Sequence, residues 1–149
     1  MIADKLATFA DGTALNTGAA GDYVIGDQID LGANYQLWDV DELYLVVTVD
    51  TTATSGGSAT LAVSLVTDDN SALSSPTKVF TTPVTAVAAL TVGTVLARVE
   101  VPKGVAWERY IGIVQTTGTA AFTAGKINAF FTQTPSNYRT FADALTASQ

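Results

Sequence analysis

The stretch Leu43-Tyr44-Leu45-Val46-Val47-Thr48-Val49-Asp50 decides the fold class. Leu43, Leu45, Val47 and Val49 recur at every second residue, with Tyr44, Val46, Thr48 and Asp50 between them. A helix would bring apolar side chains round every three or four residues. Period two puts one set on a single face of a strand. Valine and threonine, stiff at χ1, favour the same pleated conformation. The stretch therefore predicts a strand with one face on a core.

Working outward, residues 54–58 (Thr-Ser-Gly-Gly-Ser) form a loop. Ala59 to Thr67 then repeats the alternation, with Leu61, Val63 and Leu65 set against Thr60, Ala62 and Ser64. The two strands are neighbours in sequence, which predicts an antiparallel pair joined by a loop somewhat longer than a tight hairpin. Further on, Lys78–Thr82 reads as a short strand stopped by Pro83. Val84–Val92, rich in alanine, fits either a strand or an irregular crossing. Val95, Ala97, Val99 and Val101 alternate with Leu96, Arg98 and Glu100. Arg109–Thr116 places Tyr110, Gly112 and Val114 opposite Ile111 and Ile113, and Lys126–Thr134 places Ile127, Ala129 and Phe131 opposite Asn128, Phe130 and Thr132. Upstream, Tyr23–Ile25 and Ile29–Leu31 read as short strands broken by Gly26 and Gly32.

About eight short strands, punctuated by Gly, Ser and Pro turns, predict an all-β chain. The expected architecture is an antiparallel β-sandwich of jelly-roll type with short N- and C-terminal extensions. Residues 1–21 are expected to form an N-terminal arm or short helical segment, 22–134 the sandwich, and 135–149 a C-terminal tail. In the arm, Ile2, Leu6 and Phe9 stand at helix-like spacing.

A chain of 149 residues fits one domain and buries enough surface to fold without a disulfide or a metal. It contains neither cysteine nor histidine. Thiolate chemistry and Ser-His-Asp or Cys-His catalysis are thereby excluded, along with the commonest transition-metal ligand. No apolar run reaches the length of a membrane span, and the start Met-Ile-Ala-Asp-Lys-Leu lacks the pattern of a signal peptide. Synthesis in a cytoplasm is the expectation.

Charge is unevenly placed. Residues 1–50 hold nine acids and one base, net −8; residues 51–149 hold five acids and six bases, net +1. No cationic cluster of the kind that neutralises phosphates is present, so nucleic acid is not an expected partner. The acidic third is either a solvated face or a surface for a basic partner. Asp68-Asp69-Asn70 and the group Asp39, Asp41 and Glu42 offer oxygen ligands suited to Ca²⁺, but neither has EF-hand spacing, and loop acids are commonly only solvated. A two-carboxylate glycosidase lacks any pair singled out by the sequence. Tyr35, Trp38 and Tyr44, or Trp107 and Tyr110, could stack on sugars, yet aromatics more often fill a core. Arg98 and Arg109, near Glu100 and Glu108, fit surface ion pairs or anchors in an interface.

Several segments resemble one family. They are residues 1–11 (Met-Ile-Ala-Asp-Lys-Leu-Ala-Thr-Phe-Ala-Asp), the strand Leu43–Asp50, Thr54-Ser-Gly-Gly-Ser-Ala-Thr-Leu61, Val66–Asn70 with Leu73–Thr77, Arg109-Tyr110, and Thr123–Ile127. Over residues 1–133 the chain is similar to the jelly-roll capsid cement proteins of tailed bacteriophages. The resemblance implies a structural, non-enzymatic protein of the virion, without a cofactor. It would sit on the outer surface of the capsid, bind the major capsid protein and stabilise contacts between its subunits. It would be made in the host bacterial cytoplasm and would form a homo-oligomer, with a dimer favoured over a trimer. Neither nucleic acid nor membrane is an implied partner. The expected capsid contacts are Ile2, Leu6, Phe9, Asp39, Asp41 and Glu42, and the expected self-association residues are Arg98 and Arg109. The alternative is a carbohydrate-binding or receptor-binding β-sandwich module of a phage fibre.

Overall fold

A computed structural model describes residues 5–32 and 42–133 of the chain. Nine strands follow one another: β1 (Thr8–Ala14), β2 (Gly21–Asp30), β3 (Tyr44–Ser55), β4 (Thr60–Asp68), β5 (Thr77–Thr81), β6 (Thr85–Ala86), β7 (Val95–Glu100), β8 (Tyr110–Gly118) and β9 (Phe122–Thr132). Single 3₁₀ turns occupy Lys5–Ala7 and Val87–Ala89. One sheet has the order β1-β9-β3-β7 and the other β2-β8-β4-β5, with β6 beside the start of β4. All pairings are antiparallel. Except between β4, β5 and β6, each connection crosses from one sheet to the other. A four-stranded layer and a five-stranded layer joined this way make a jelly roll.

The inward faces are those the alternation predicts. Leu45, Val47 and Val49 of β3 meet Leu61, Val63 and Leu65 of β4, with Ile111 and Ile113 of β8 and Ile127, Ala129 and Phe131 of β9 in the same core. Each such fully buried aliphatic side chain contributes about 1.5–3 kcal/mol. The predicted β3–β4 hairpin does not form. β3 pairs with β9 and β7, while β4 pairs with β8, β5 and β6. Periodicity reports which face is buried but not which strand lies alongside. Here the two apolar faces oppose each other across the core, and residues 56–59 carry the chain between layers.

The sandwich also begins earlier than expected. Thr8–Ala14, read as part of an arm, is an edge strand paired to β9. Phe9 and Ala10 are buried, and the Phe9 ring meets Phe131 edge-on with centroids 4.9 Å apart. Aromatic burial of this size outweighs the weak helical spacing of Ile2, Leu6 and Phe9. The two short strands expected around Gly26 are one strand with a bulge. Ile25 opposes Ile113 and Ile29 opposes Ile111, so β2 spends two extra residues there. Gly26 makes this possible at φ +73, where an added Cβ would be built into the Phe9 carbonyl of β1. The last strand starts at Phe122 rather than Lys126. Residues 135–149, the expected tail, lie outside the described residues.

Two connections are pinned by specific contacts. The loop after β4 folds back over the outer face of its sheet, and Leu73, at φ +51, packs there on Val66, Val114 and Tyr110. Gln115 is fully buried. It accepts from the Asn16 N–H at 2.8 Å and donates to the Asn16 carbonyl at 3.0 Å and the Thr117 hydroxyl at 2.7 Å. Its amide thus fastens the β1–β2 connection to β8, and the burial costs nothing in unmet hydrogen bonds.

Strand direction sorts the connections into two ends of the barrel-shaped sandwich. The β1–β2, β3–β4, β5–β7 and β8–β9 connections gather at one pole. The β2–β3, β4–β5 and β7–β8 connections gather at the other, where β1 is entered and β9 ends.

Candidate interaction surface

Leu6 precedes β1 and Glu42 precedes β3, and both strands are entered at the same pole. Leu6 is 82% exposed and Glu42 is exposed, the latter with a left-handed backbone at φ +73. Of the capsid-contact candidates, these two lie on the described surface. Phe9 does not: its side chain is 1% exposed and belongs to the chain's own core, so it has no face to offer a partner. Ile2, Asp39 and Asp41 lie outside the described residues.

The two arginines differ. Arg98 is exposed on β7, an edge strand, and has no ion-pair partner among the described residues. Arg109 holds Asp30 with both prongs of its guanidinium, Nε to Oδ1 and Nη2 to Oδ2, each at 2.9 Å. It also lies 5.2 Å from the Tyr110 ring centroid. The fork is therefore used within the chain to tie β2 to the start of β8. Neither pairing expected from sequence occurs among the described residues. Glu100 faces Lys103 at 3.3 Å, and Arg109 takes Asp30 rather than Glu108. Glu and Asp partners nearby in sequence are easy to list, but the strand brought alongside supplied the better bidentate geometry.

The same pole carries three carboxylates close together. Oxygens of Asp68, Asp69 and Glu108 lie within 4.8 Å of one another. Asp68 is buried, and its oxygens accept backbone N–H groups from Asn70 at 3.1 Å and Ser75 at 2.9 Å. The Ser75 N–H, foremost, lowers the Asp68 pKa, and the Asn70 N–H adds to the effect. These bonds close the loop that seats Leu73, which accounts for Asp68 without a cation. Glu108 was not foreseen beside it, because the β7–β8 connection that delivers it is distant in sequence.

Two more carboxyls are held below their ordinary range. The Thr116 hydroxyl, then Lys78 at 2.9 Å, stabilise the ionised Asp22. Arg109, then the Gly32 N–H at 2.8 Å, do the same for Asp30. Both pairs are largely exposed, so their stabilising contribution is small.

The aromatic candidates separate as well. Trp107 is 6% exposed and part of the core, and Tyr110 is half-buried under Arg109 and beside Leu73. They do not form an open stacking platform. Tyr44 is half-buried on the outer face of β3; Tyr35 and Trp38 lie outside the described residues. Among the described residues, no helix is long and apolar enough to cross a membrane.

One surface feature was missed by reading residues singly. Five runs of ten or more residues carry no charge, 12–21, 51–67, 79–97, 110–125 and 127–138. The first four each surround one of the four connections at the pole opposite Leu6 and Glu42.

Residues 9–131, from β1 into β9, match a family model described as Bbp16. No curated protein matches the sequence.

Proposed function

This chain belongs to the Bbp16 family, and we propose that it is a capsid decoration protein, binding the outer surface of a tailed phage head and bracing neighbouring major capsid subunits. The jelly-roll order of its two sheets carries the reading. It is the fold implied by the family its segments resemble. A sequence free of His and Cys fits a protein that works by surface contact. The contact assigned to the shell is the pole that combines the exposed Leu6 with Glu42. An apolar residue beside an acidic one supplies both a desolvated anchor and charge that orients docking to a basic surface. The major capsid protein is the proposed partner, and the outer face of the virion the proposed location.

The test uses heads of a phage whose genome encodes this chain, prepared without it. Added protein should co-sediment with the heads at a fixed copy number and raise the temperature at which they release DNA. Failure to bind such heads, with binding instead to a bacterial surface glycan, would replace this proposal by a receptor-binding role.

A further inference from the structure

We propose that Asp11 is a latent site of isoaspartate formation and that the Asn128 side chain keeps it silent in the folded protein. Asp11-Gly12 is the one place in the chain where an aspartate or asparagine precedes a glycine. Such a pair is the most open to internal attack, because no Cβ shields the amide that follows. The reaction needs only water. The Gly12 nitrogen bonds to Cγ of the Asp11 carboxylic acid; its proton and the acid's OH leave together as water, closing a five-membered succinimide. Water then adds at either carbonyl of the ring. Opening at the side-chain carbonyl restores aspartate. Opening at the main-chain carbonyl leaves the backbone running through Cγ, one carbon longer, with no net change in mass.

Asp11 is exposed, so burial does nothing to protect it. The obstacles to the first step meet instead at Asn128. Asp11 and Gly12 form a bulge in the edge strand β1, standing together opposite Asn128 between the Ala10–Ala129 and Thr13–Ile127 pairs. A bulge disrupts the ladder and leaves a residue unpaired. Here the Gly12 N–H donates to Asn128 Oδ1 at 2.6 Å. An attacking nitrogen must shed its proton and turn toward Cγ, and this bond opposes both. The Asn128 amide is itself oriented. Its Nδ2 donates to Asp50 Oδ1 at 3.4 Å, and a carboxylate can only accept, so Oδ1 is the end left for Gly12. Asp50 also adds a charge. Its Oδ2 stands 3.6 Å from where a Gly12 Cβ would lie, and a carboxylate so near disfavours loss of the Gly12 proton. The product would disrupt β1. One extra backbone carbon in the bulge shifts Thr13 and Ala14 against Ile127 and Lys126, and strains the Leu15 N–H bond to the Gly125 carbonyl, now 2.9 Å. The chemistry does not depend on the proposed function, but on a particle outside the cell no new copies would replace damaged ones.

Peptide mapping of the purified full chain, stored for weeks at physiological temperature and pH, tests the assignment. Isoaspartate is read by its shifted retention and by isoaspartyl methyltransferase labelling. Folded wild type should form it at Asp11 at least about tenfold more slowly than the same chain held unfolded in urea, because reaction in the fold must wait for local opening of β1. Asn128→Ala should speed the folded reaction about fivefold or more, the factor expected for one hydrogen bond, and should leave the unfolded rate unchanged. Hydrogen exchange gives a second reading: the Gly12 amide should be protected in the wild type and lose that protection in Asn128→Ala. Deamidation at the exposed Asn70, in the loop after β4, is the internal reference. If Asn128→Ala merely loosens the whole fold, Asn70 deamidation will rise in parallel, and the role given to Asn128 falls. A folded wild type that isomerises as fast as the unfolded chain, an unprotected Gly12 amide, or an Asn128→Ala rate equal to the wild type would also overturn the proposal. Asp11→Glu, which would have to close a six-membered ring, should abolish the product in both states; isoaspartate persisting there would refute Asp11 as the site.

Discussion

Replacing Gly26 by alanine tests how the side of the sandwich closes. Gly26 lies in the β2 bulge at φ +73, and its missing Cβ is the space occupied by the carbonyl of Phe9 on β1. β1 and β2 are edge strands of opposite sheets, so this is the point where the two layers come together along one side. An alanine there meets two costs. The left-handed backbone alone costs about 1–2 kcal/mol for a residue with a Cβ. Overlap with a main-chain atom adds about 1–3 kcal/mol, the usual range for overpacking. It cannot be relieved by a rotamer change, because Phe9 is anchored in the core. Gly104 is the control: its φ is +78, but an added Cβ there meets nothing within 4 Å. Gly104→Ala should therefore cost about 1–2 kcal/mol, the backbone part only. Gly26→Ala should cost about 2–5 kcal/mol. At roughly 2–4 °C per kcal/mol for a chain of this length, the two melting temperatures should separate by several degrees. Urea unfolding with matched slopes gives the same comparison in free energy. Equal losses in the two variants would refute the argument that β1 and β2 are in backbone contact at this point.

Phe9→Ala should destabilise the fold by about 3–5 kcal/mol, whereas Leu6→Ala should leave stability within about 0.5 kcal/mol and weaken binding to heads; thermal melts and head co-sedimentation separate the two, and the reverse pattern would restore Phe9 as a contact residue. Acid should destabilise the protein. Asp22, Asp30 and Asp68 are all held below their ordinary pKa in the fold, so their stabilisation is complete above the unfolded value near 4 and is lost as pH falls through the lower folded values. The melting temperature should drop between pH 5 and pH 3 and stay level between pH 6 and pH 8, where no histidine titrates; a flat profile from pH 5 to pH 3 would contradict the contacts assigned to these carboxyls.

The legible part of the fold was the part dictated by local physics. Alternation in Leu43–Asp50 and Ala59–Thr67 identified the inward residues of β3 and β4 because period two is a property of the single strand. Pairing is not. The choice of β9 and β7 as neighbours of β3 depends on contacts 47 to 88 residues away, and the nearest strand in sequence ended up in the opposite layer. β1 was hidden for a related reason: Phe9-Ala10-Asp11-Gly12-Thr13-Ala14 has little alternation of its own, and its strand conformation comes from the edge of β9 that it covers. The glycine at position 26 read as a break because a bulge and a strand end look alike until the opposing strand is known. Arg109 and Asp30 illustrate the same limit at the surface, since they are 79 residues apart and joined only by β2–β8 pairing.

The jelly roll also converts a pattern along the chain into a pattern in space. Apart from β5 and β6, which both run antiparallel to β4, successive strands run in opposite directions, so the connections are delivered alternately to the two poles. The sequence alternates in step with this. Charge-free runs surround the connections after β1, β3, β5 and β8, while Asp30 and Glu42, Asp68 and Asp69, and Lys103, Glu108 and Arg109 flank or occupy those after β2, β4 and β7. Counting charge over the first fifty residues captured a surplus of acid but missed this alternation, because a sum over a segment mixes both poles. A fold that sent consecutive connections to the same end would have blended the two surfaces. Here antiparallel order separates them, leaving one end of the molecule flanked by charge and the connections at the other end without it.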